Sequence, residues 1–279
     1  MIYSKRSGLG GDPVPKAFGI RDPNSPSTLD GSDELFPNHF ESGIKQLDVN
    51  IQLADGDIIR GLIYQPDEPK GLVVFAHGSG SSRLSSRNLY VARYLAKKGF
   101  ATLTMDLLTV AEEQVDLLTR QFRFDIPLLA RRVAQTLDWV KQVPDLNYLN
   151  TGLYGASTGA AAALIASVMR PDNVKAVISR GGRPDLAGPY LPQVTAPTLL
   201  LVGGYDTDVI ELNRKAYEML GAREKELLII PGASHLFEEE GKMDEVAMHT
   251  SRWLEKYLSG NSGPKKISIH EKEKDGPTA

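Results

Sequence analysis

Gly155-Ala156-Ser157-Thr158-Gly159 is the stretch of this sequence that decides the fold. It joins an apolar run, Thr151 to Tyr154, to an alanine-rich segment, Ala160 to Met169, that contains neither glycine nor proline. The two runs have the composition of a strand and a helix, so the pattern G-x-S-x-G falls on a strand-to-helix turn. Such a turn forces strained dihedral angles on the serine, while the flanking glycines let strand and helix approach closely. This context predicts a nucleophile elbow that exposes the Ser157 hydroxyl at the edge of a sheet.

The remainder of the chain alternates strand-type and helix-type segments. Ile44 to Leu53 and Asp57 to Tyr64 are predicted to form an antiparallel hairpin around Ala54-Asp55-Gly56. Near-continuous apolar runs, typical of a parallel sheet covered on both faces, follow at 71–76, 101–105, 151–154, 174–179, 198–202 and 226–230. Helices are predicted between them, at 86–98, 126–140, 160–170, 209–220 and 244–258.

This alternation predicts an α/β fold with a doubly wound, mostly parallel sheet and an antiparallel N-terminal edge. Asp125 precedes Pro127 and is expected to be the N-cap of the helix that starts there. In sheets of this kind the functional residues lie at the carboxyl ends of the parallel strands. Only sixteen residues separate Arg180 from Pro197, too few for a helical lid, so no cap domain is expected.

Three parts are expected along the chain. Residues 1–40 are rich in proline and glycine and lack apolar periodicity, which predicts an extended or disordered N-terminal arm. Residues 41–260 are predicted to form the α/β domain, and residues 261–279 a polar C-terminal tail.

The composition argues against several classes of function. A net charge of −3, from 32 basic and 35 acidic residues, gives no electrostatic footprint for nucleic acid or for an anionic membrane. No apolar run has the length of a membrane span and no signal-peptide core is present, so a cytoplasmic location is expected. The absence of cysteine removes disulfides, thiolate metal sites and a cysteine nucleophile. No metal and no cofactor is expected, and the oligomeric state is left open.

A serine hydroxyl becomes a nucleophile only when a base takes its proton. Of the five histidines, His235 follows the apolar run that ends at Ile230, so a loop at the carboxyl edge of the sheet carries it. We therefore expect His235 to be the base for Ser157. His77, which is followed by Gly78, is expected to be a structural residue that holds its loop through hydrogen bonds.

An acidic residue should orient that imidazole from another strand end. Asp206 follows the Gly203-Gly204 pair directly after a strand run and is the favoured candidate. Asp208 is the alternative, although it better fits the N-cap of a helix that starts at Val209. The chain order Ser157, Asp206, His235 is the order expected for a G-x-S-x-G elbow on such a sheet.

The developing negative charge on a carbonyl oxygen requires two N–H donors, an oxyanion hole. The elbow itself supplies the N–H of Thr158. The second donor is expected from the loop after the 71–76 strand, with the Ser79 N–H as the candidate.

Four motifs in this order carry a family resemblance: Gly155–Gly159, His77-Gly78, Gly203-Gly204-Tyr205-Asp206 and Gly232-Ala233-Ser234-His235. Together they resemble the α/β-hydrolases over about residues 45–258. His77 through Arg83 and Ser179 through Asp185 resemble the dienelactone-hydrolase-like branch, including members fused to phosphoribosyltransferases. True dienelactone hydrolases use a cysteine nucleophile, which this chain lacks, so their lactone substrate does not follow from the resemblance.

The expected function is a serine hydrolase that cleaves a small carboxylic ester, thioester or lactone through an acyl-enzyme. A non-catalytic binding module on the same fold is the alternative from another class. Acyl transfer and peptidase activity by the same residues also remain open. The expected partner is a small-molecule ester, and neither nucleic acid nor a membrane.

Three arginines near strand ends suggest an anchor for the substrate. Arg83, Arg180 and Arg183 are placed to clamp a carboxylate or phosphate, and Arg83 and Arg183 are the preferred pair. The alternative is that these are loop arginines in surface salt bridges.

Overall fold

The computed structural model of this protein describes residues 43–259. The predicted arm, 1–40, and the predicted tail, 261–279, lie outside the described residues. The boundaries of the central domain therefore remain a prediction.

One sheet of eight strands organises the described chain, in the order β1-β2-β4-β3-β5-β6-β7-β8. The strands are β1 Ile44–Gln52, β2 Ile58–Pro66, β3 Leu72–Ala76, β4 Ala101–Met105, β5 Thr151–Ala156, β6 Val174–Arg180, β7 Thr198–Gly203 and β8 Lys225–Ile230. The β1–β2 and β2–β4 pairs are antiparallel, and all other neighbours are parallel. The mostly parallel sheet with an antiparallel N-terminal edge is confirmed.

Helices cover both faces of the sheet. They are α1 Ser86–Lys97, α2 Val110–Thr119, α3 Ile126–Val140, α4 Thr158–Met169, α5 Thr207–Met219 and α6 Lys242–Leu258. Helices α1 and α6 pack on one face, and α3 and α4 on the other, which gives two buried apolar layers. Successive residues of β5 point to opposite layers, since Leu153 belongs to one and Tyr154 to the other.

Asp125 is the N-cap of α3 as predicted. Its side chain accepts a hydrogen bond from the Leu128 N–H at 2.9 Å, and Pro127 lies in the first turn.

Helix α2 was not predicted. Its apolar side chains Val110, Val115, Leu117 and Leu118 are exposed, while Asp116 is buried, so the helix lacks the apolar inner face that a periodicity argument detects. It starts instead with a capping box, in which the Thr109 side chain and the Glu112 carboxylate each accept a backbone N–H of the other residue. That signal was present in the sequence.

A short 3₁₀ segment, Pro184–Gln193, kinked at Gly188, follows β6 where related folds carry a cap. No cap domain is present between β6 and β7, which confirms that expectation. No helix within residues 43–259 has the length and apolar character needed to cross a bilayer.

Candidate active site

Ser157 lies at the turn between β5 and α4 with strained backbone angles, φ 51° and ψ −123°. Two glycines make this turn possible. A Cβ on Gly155 would lie 2.4 Å from the Cα of Ala160, and one on Gly159 would lie 2.4 Å from the carbonyl oxygen of Ala76. Strand and helix therefore meet at a distance that only glycine permits, as the sequence predicted.

The strained serine is held through its backbone. Its N–H donates to the Arg180 carbonyl at 3.2 Å, and its own carbonyl accepts the Arg183 N–H at 3.0 Å. Both partners belong to the end of β6 and the residues that follow. These hydrogen bonds fix the backbone of Ser157 and do not involve its hydroxyl group.

His235 and Asp206 form a direct pair. The Nδ1 atom of the imidazole lies 2.5 Å from Oδ2 of the carboxylate. Because a carboxylate can only accept, Nδ1 carries the proton and Nε2 is left with a free lone pair. The His235 side chain is 38% exposed and that of Asp206 15%, so the ring reaches solvent while the acid lies behind it.

The two loops that carry this pair pack backbone against backbone. The Gly204 N–H donates to the Ile230 carbonyl at 2.8 Å, and the Tyr205 N–H donates to the Ala233 carbonyl at 2.9 Å. A Cβ on Gly203 would lie 2.4 Å from the Ser234 carbonyl oxygen. The Gly203-Gly204 pair thus lets the Asp206 turn approach the His235 loop closely.

The His235 loop is fixed from its other side as well. The Ser234 N–H donates to both carboxylate oxygens of Glu239 at 3.0 Å. Phe237 is buried and has a φ of 57°, a left-handed conformation that is unusual for a bulky side chain. The loop therefore has a strained backbone conformation, which these hydrogen bonds and the buried Phe237 side chain hold in place.

Asp206, and not Asp208, faces the imidazole. The helix predicted to start at Val209 starts at Thr207, so Asp206 holds the N-cap position and Asp208 lies in the first turn. The prediction that Asp208 is the N-cap was wrong. Asp206 makes no side-chain cap bond, since its carboxylate is engaged with His235, but the helix N-terminus still favours its negative charge.

His77 organises the loop expected to hold the second oxyanion donor. The Leu107 N–H donates to its Nε2 at 3.2 Å, so the proton lies on Nδ1, which donates to the Gly78 carbonyl at 2.8 Å. Burial lowers the pKa of His77, which keeps the ring neutral in this arrangement. The structural role predicted for His77 agrees with these contacts.

The same contact orients the next peptide unit. In a trans peptide the N–H points opposite to the carbonyl, so the bond from His77 to the Gly78 carbonyl turns the Ser79 N–H away from the histidine. A Cβ on Gly78 would lie 3.0 Å from the Cβ of Ser157, so this loop passes directly against the serine. Thr158 begins α4, where a backbone N–H lacks a partner within the helix. Thr158 is therefore adjacent to Ser157 in the chain and the loop that carries Ser79 passes against the serine, while their roles as oxyanion donors stay a prediction.

The arginines predicted to anchor an anionic substrate are paired with carboxylates. Arg83 contacts Asp106, with Nη1 to Oδ2 at 3.0 Å and its backbone N–H to Oδ1 at 2.8 Å. Arg183 makes a two-pronged pair with Asp185, at 2.9 and 2.8 Å. These contacts correspond to the salt-bridge alternative, because each guanidinium already has a carboxylate partner.

Arg180, the third arginine considered from the sequence, is buried and contacts other side chains of the domain. Its side chain is buried, donates to Asn88 Oδ1 at 3.1 Å and lies 6.0 Å from the centre of the Phe237 ring. Among residues 43–259 it has no carboxylate partner, and its Nε has no hydrogen-bond acceptor. Its contact with the Phe237 ring connects it to the loop that carries His235.

A small cleft opens beside the His77 loop. Its walls are the loop itself, the β4–α2 connection and α2 with the residues that follow. The lining comprises His77, Gly78, Ser79, Gly80, Ser81, Leu107, Leu108, Glu113, Asp116, Leu117, Arg123 and Leu129. Within residues 43–259, no group of three or more His, Asp or Glu side chains is arranged to hold a metal ion.

Comparison with known proteins places these features in a family. The family model described as PETase, PET hydrolase-like, matches residues 59–274. The crystal structure of a dienelactone hydrolase from Anabaena variabilis is 50% identical, covers 77% of this chain and 99% of its own, and superposes with a TM-score of 0.75. Est1E from Butyrivibrio proteoclasticus is 16% identical, covers 77% of this chain and 98% of its own, and has a TM-score of 0.61, which shows the fold alone.

Two curated proteins are also similar in sequence to this chain. A protein of Mycobacterium tuberculosis named putative phosphoribosyl transferase is 49% identical over 214 residues, 76% of this chain. The chain spans 47% of that relative's length, so the similarity concerns only part of it. The esterase FrsA of Yersinia enterocolitica is 28% identical over 146 residues, which are 51% of this chain and 33% of the esterase.

Proposed function

Because this chain belongs to the α/β-hydrolases, in the dienelactone-hydrolase-like branch and the PET hydrolase-like family, we propose that it is a serine hydrolase with Ser157, His235 and Asp206 as its catalytic triad. Its substrate is a small carboxylic ester, thioester or lactone. The observation that carries the proposal is the 2.5 Å contact between His235 Nδ1 and Asp206 Oδ2, which leaves Nε2 free as a base.

The acylation step follows from this arrangement. Ser157 Oγ attacks the ester carbonyl carbon while His235 Nε2 takes the hydroxyl proton. Asp206 stabilises the resulting imidazolium and keeps the ring in one tautomer. The N–H groups of Ser79 and Thr158 receive the oxyanion. Collapse of the tetrahedral intermediate breaks the bond to the alcohol, which leaves with the proton from His235.

Deacylation repeats the sequence with water. His235 takes a proton from a water molecule, whose oxygen attacks the acyl carbon, and the released proton returns to Ser157 Oγ. Within residues 43–259 only a 3₁₀ segment, and no cap domain, lies between β6 and β7, which favours access of water to the acyl-enzyme and hence hydrolysis over transfer to a second alcohol.

The test is a combined labelling and turnover experiment. The protein should react with a fluorophosphonate at Ser157 alone, as read by peptide mass spectrometry, and should release p-nitrophenol from short-chain esters. A folded protein that shows neither labelling nor turnover would favour the binding-module alternative.

A further inference from the structure

Helix α2 forms one wall of the cleft beside the predicted oxyanion loop. Glu113 and Leu117, four residues apart on the same helix face, both line the cleft. Leu117 is 69% exposed although it is apolar. It is one of four exposed apolar side chains on this helix, with Val110, Val115 and Leu118, and a concentration of exposed apolar residues beside a cleft is typical of an interaction surface.

The charges of this wall are unevenly balanced. Asp116 is buried and forms an ion pair with Arg123 at 2.6 Å, and Arg83 forms an ion pair with Asp106 at 3.0 Å. Glu113 has no side-chain hydrogen bond or ion pair to any residue within 43–259. The cleft wall therefore presents one carboxylate without a directly contacting cation among the described residues, although Arg83 and Arg60 act on it from a distance.

The surroundings of Glu113 would accept a cation. Partial burial and then the neighbouring Asp106 carboxylate raise the pKa of Glu113, and the opposing effects of Arg83 and Arg60 do not cancel them. A positive group of a ligand in the cleft would offset the lost solvation of the Glu113 carboxylate and its repulsion from Asp106. A ligand carboxylate would add a further repulsion.

We propose that Glu113 and Leu117 are specificity-determining residues of the cleft, which select an ester whose group at this wall is apolar and neutral or cationic. This inference rests on the proposed function, and it reverses the anionic preference expected from Arg83 and Arg183. The lining of the cleft includes none of the three triad residues, but it includes Gly78, on which a Cβ would lie 3.0 Å from the Cβ of Ser157. The cleft that α2 borders is therefore adjacent to the serine.

The charge test uses three p-nitrophenyl esters of matched length at low ionic strength and pH 8: pentanoate, 4-(trimethylammonio)butanoate and hydrogen glutarate. A second set of esters carries the same neutral, cationic and anionic end groups on the alcohol side of the ester bond instead of on the acyl chain. In at least one set, the wild-type protein should have a KM for the anionic ester about fivefold or more above that for the cationic ester. Glu113→Gln should narrow this ratio about fivefold, Glu113→Lys should invert it, and 0.5 M NaCl should weaken all three effects.

Glu218→Gln on α5 is the matched control. Glu218 is exposed and lies about 17 Å along the helix from its start at the Asp206 turn, so this variant changes the net charge equally without touching the cleft. It should leave every KM ratio unchanged. Equal shifts in Glu218→Gln and Glu113→Gln, or ratios that Glu113→Lys does not move in either set, would overturn the inference.

The proposed apolar contact of Leu117 is tested with esters of different acyl chain length. Leu117→Ser should raise KM for a hexanoate ester about fourfold, the contribution of one buried methylene, and leave the acetate ester unaffected. Met219→Ser, an exposed apolar position at the far end of α5, is its control. An equal effect on acetate and hexanoate would overturn the role of Leu117. Wild-type protein inactive on every ester would instead overturn the proposed function and this inference with it.

Discussion

The Nδ1 atom of His235 lies 2.5 Å from Oδ2 of Asp206, across two loops that follow neighbouring parallel strands. Three glycine-dependent features make this possible: the Gly203-Gly204 turn, the positive φ at Gly232 and the close packing of Gly203 on Ser234. The pair identifies the acid and the histidine that can act together.

Ser157→Ala should abolish ester hydrolysis, with a loss of kcat of roughly 10⁴-fold or more, because no other hydroxyl occupies the strained elbow. Folding should be preserved, since the backbone bonds to Arg180 and Arg183 do not involve the side chain. Kinetics with p-nitrophenyl butyrate and circular dichroism check both statements. Undiminished turnover by the well-folded variant would contradict the assignment.

Asp206→Asn should lower kcat by about 10⁴-fold, because the amide no longer fixes the tautomer of His235. Asp208→Asn is its matched control in the first turn of α5, where a lost helix-dipole interaction costs about 0.3–1 kcal/mol of stability. Its kcat should change less than tenfold. If the two kinetic effects were exchanged, Asp208 would be the orienting acid.

His77→Ala should lower kcat about 10²–10³-fold with little change in KM, because the Ser79 N–H would lose its fixed direction toward the oxyanion. His77→Asn should recover part of the activity, since its amide N–H can still reach the Gly78 carbonyl. The fluorophosphonate labelling rate provides a second readout. Equal losses of kcat in His77→Ala and His77→Asn, together with equal losses of thermal stability, would indicate that His77 only stabilises the fold.

Asp116→Asn should destabilise the protein by about 2–4 kcal/mol at pH 7, because the buried carboxylate accepts the N–H groups of Phe122 and Arg123 and the Arg123 side chain. Burial raises the pKa of Asp116, but these bonds outweigh burial and leave the pKa below its usual value. A lowered pKa contributes stability above the unfolded-state pKa of about 3.9 and loses it as the pH falls.

The difference between wild type and Asp116→Asn should therefore shrink as the pH falls below about 4. Urea denaturation at pH 7 and at pH 3.5 measures it. A difference that stays constant with pH would show that the charge of Asp116 makes no contribution to stability.

Arg83→Gln and Arg183→Gln should change KM for neutral and anionic esters of matched size by the same factor, since Asp106 and Asp185 already occupy the guanidiniums. Steady-state kinetics with p-nitrophenyl pentanoate and hydrogen glutarate measure the factors. A loss confined to the anionic ester would restore the substrate-anchoring role predicted from the sequence.

The sequence alone was sufficient wherever a local pattern reflects a local physical constraint. The strand, G-x-S-x-G and helix sequence predicts the elbow because only glycine fits at positions 155 and 159. Apolar runs predict the parallel strands for a similar reason, since burial on both faces leaves no room for polar alternation. Helix α2 escaped prediction because its apolar residues face solvent, which reverses the usual periodicity.

The sequence favoured Asp206 as the partner of His235, but only the tertiary structure decided between Asp206 and Asp208 and determined which carboxylates pair with the arginines. Asp206 and Asp208 are two residues apart, and the start of α5 at Thr207, not at Val209, turns the first toward His235. The sequence left Arg83 and Arg183 open as substrate anchors or as salt-bridged loop residues, and in the fold they form ion pairs with Asp106 and Asp185. Glu113 remains the unpaired charge of the cleft. Local sequence determines backbone conformation through sterics and burial, whereas ion pairing depends on distances of a few ångströms between groups that only the folded chain brings together.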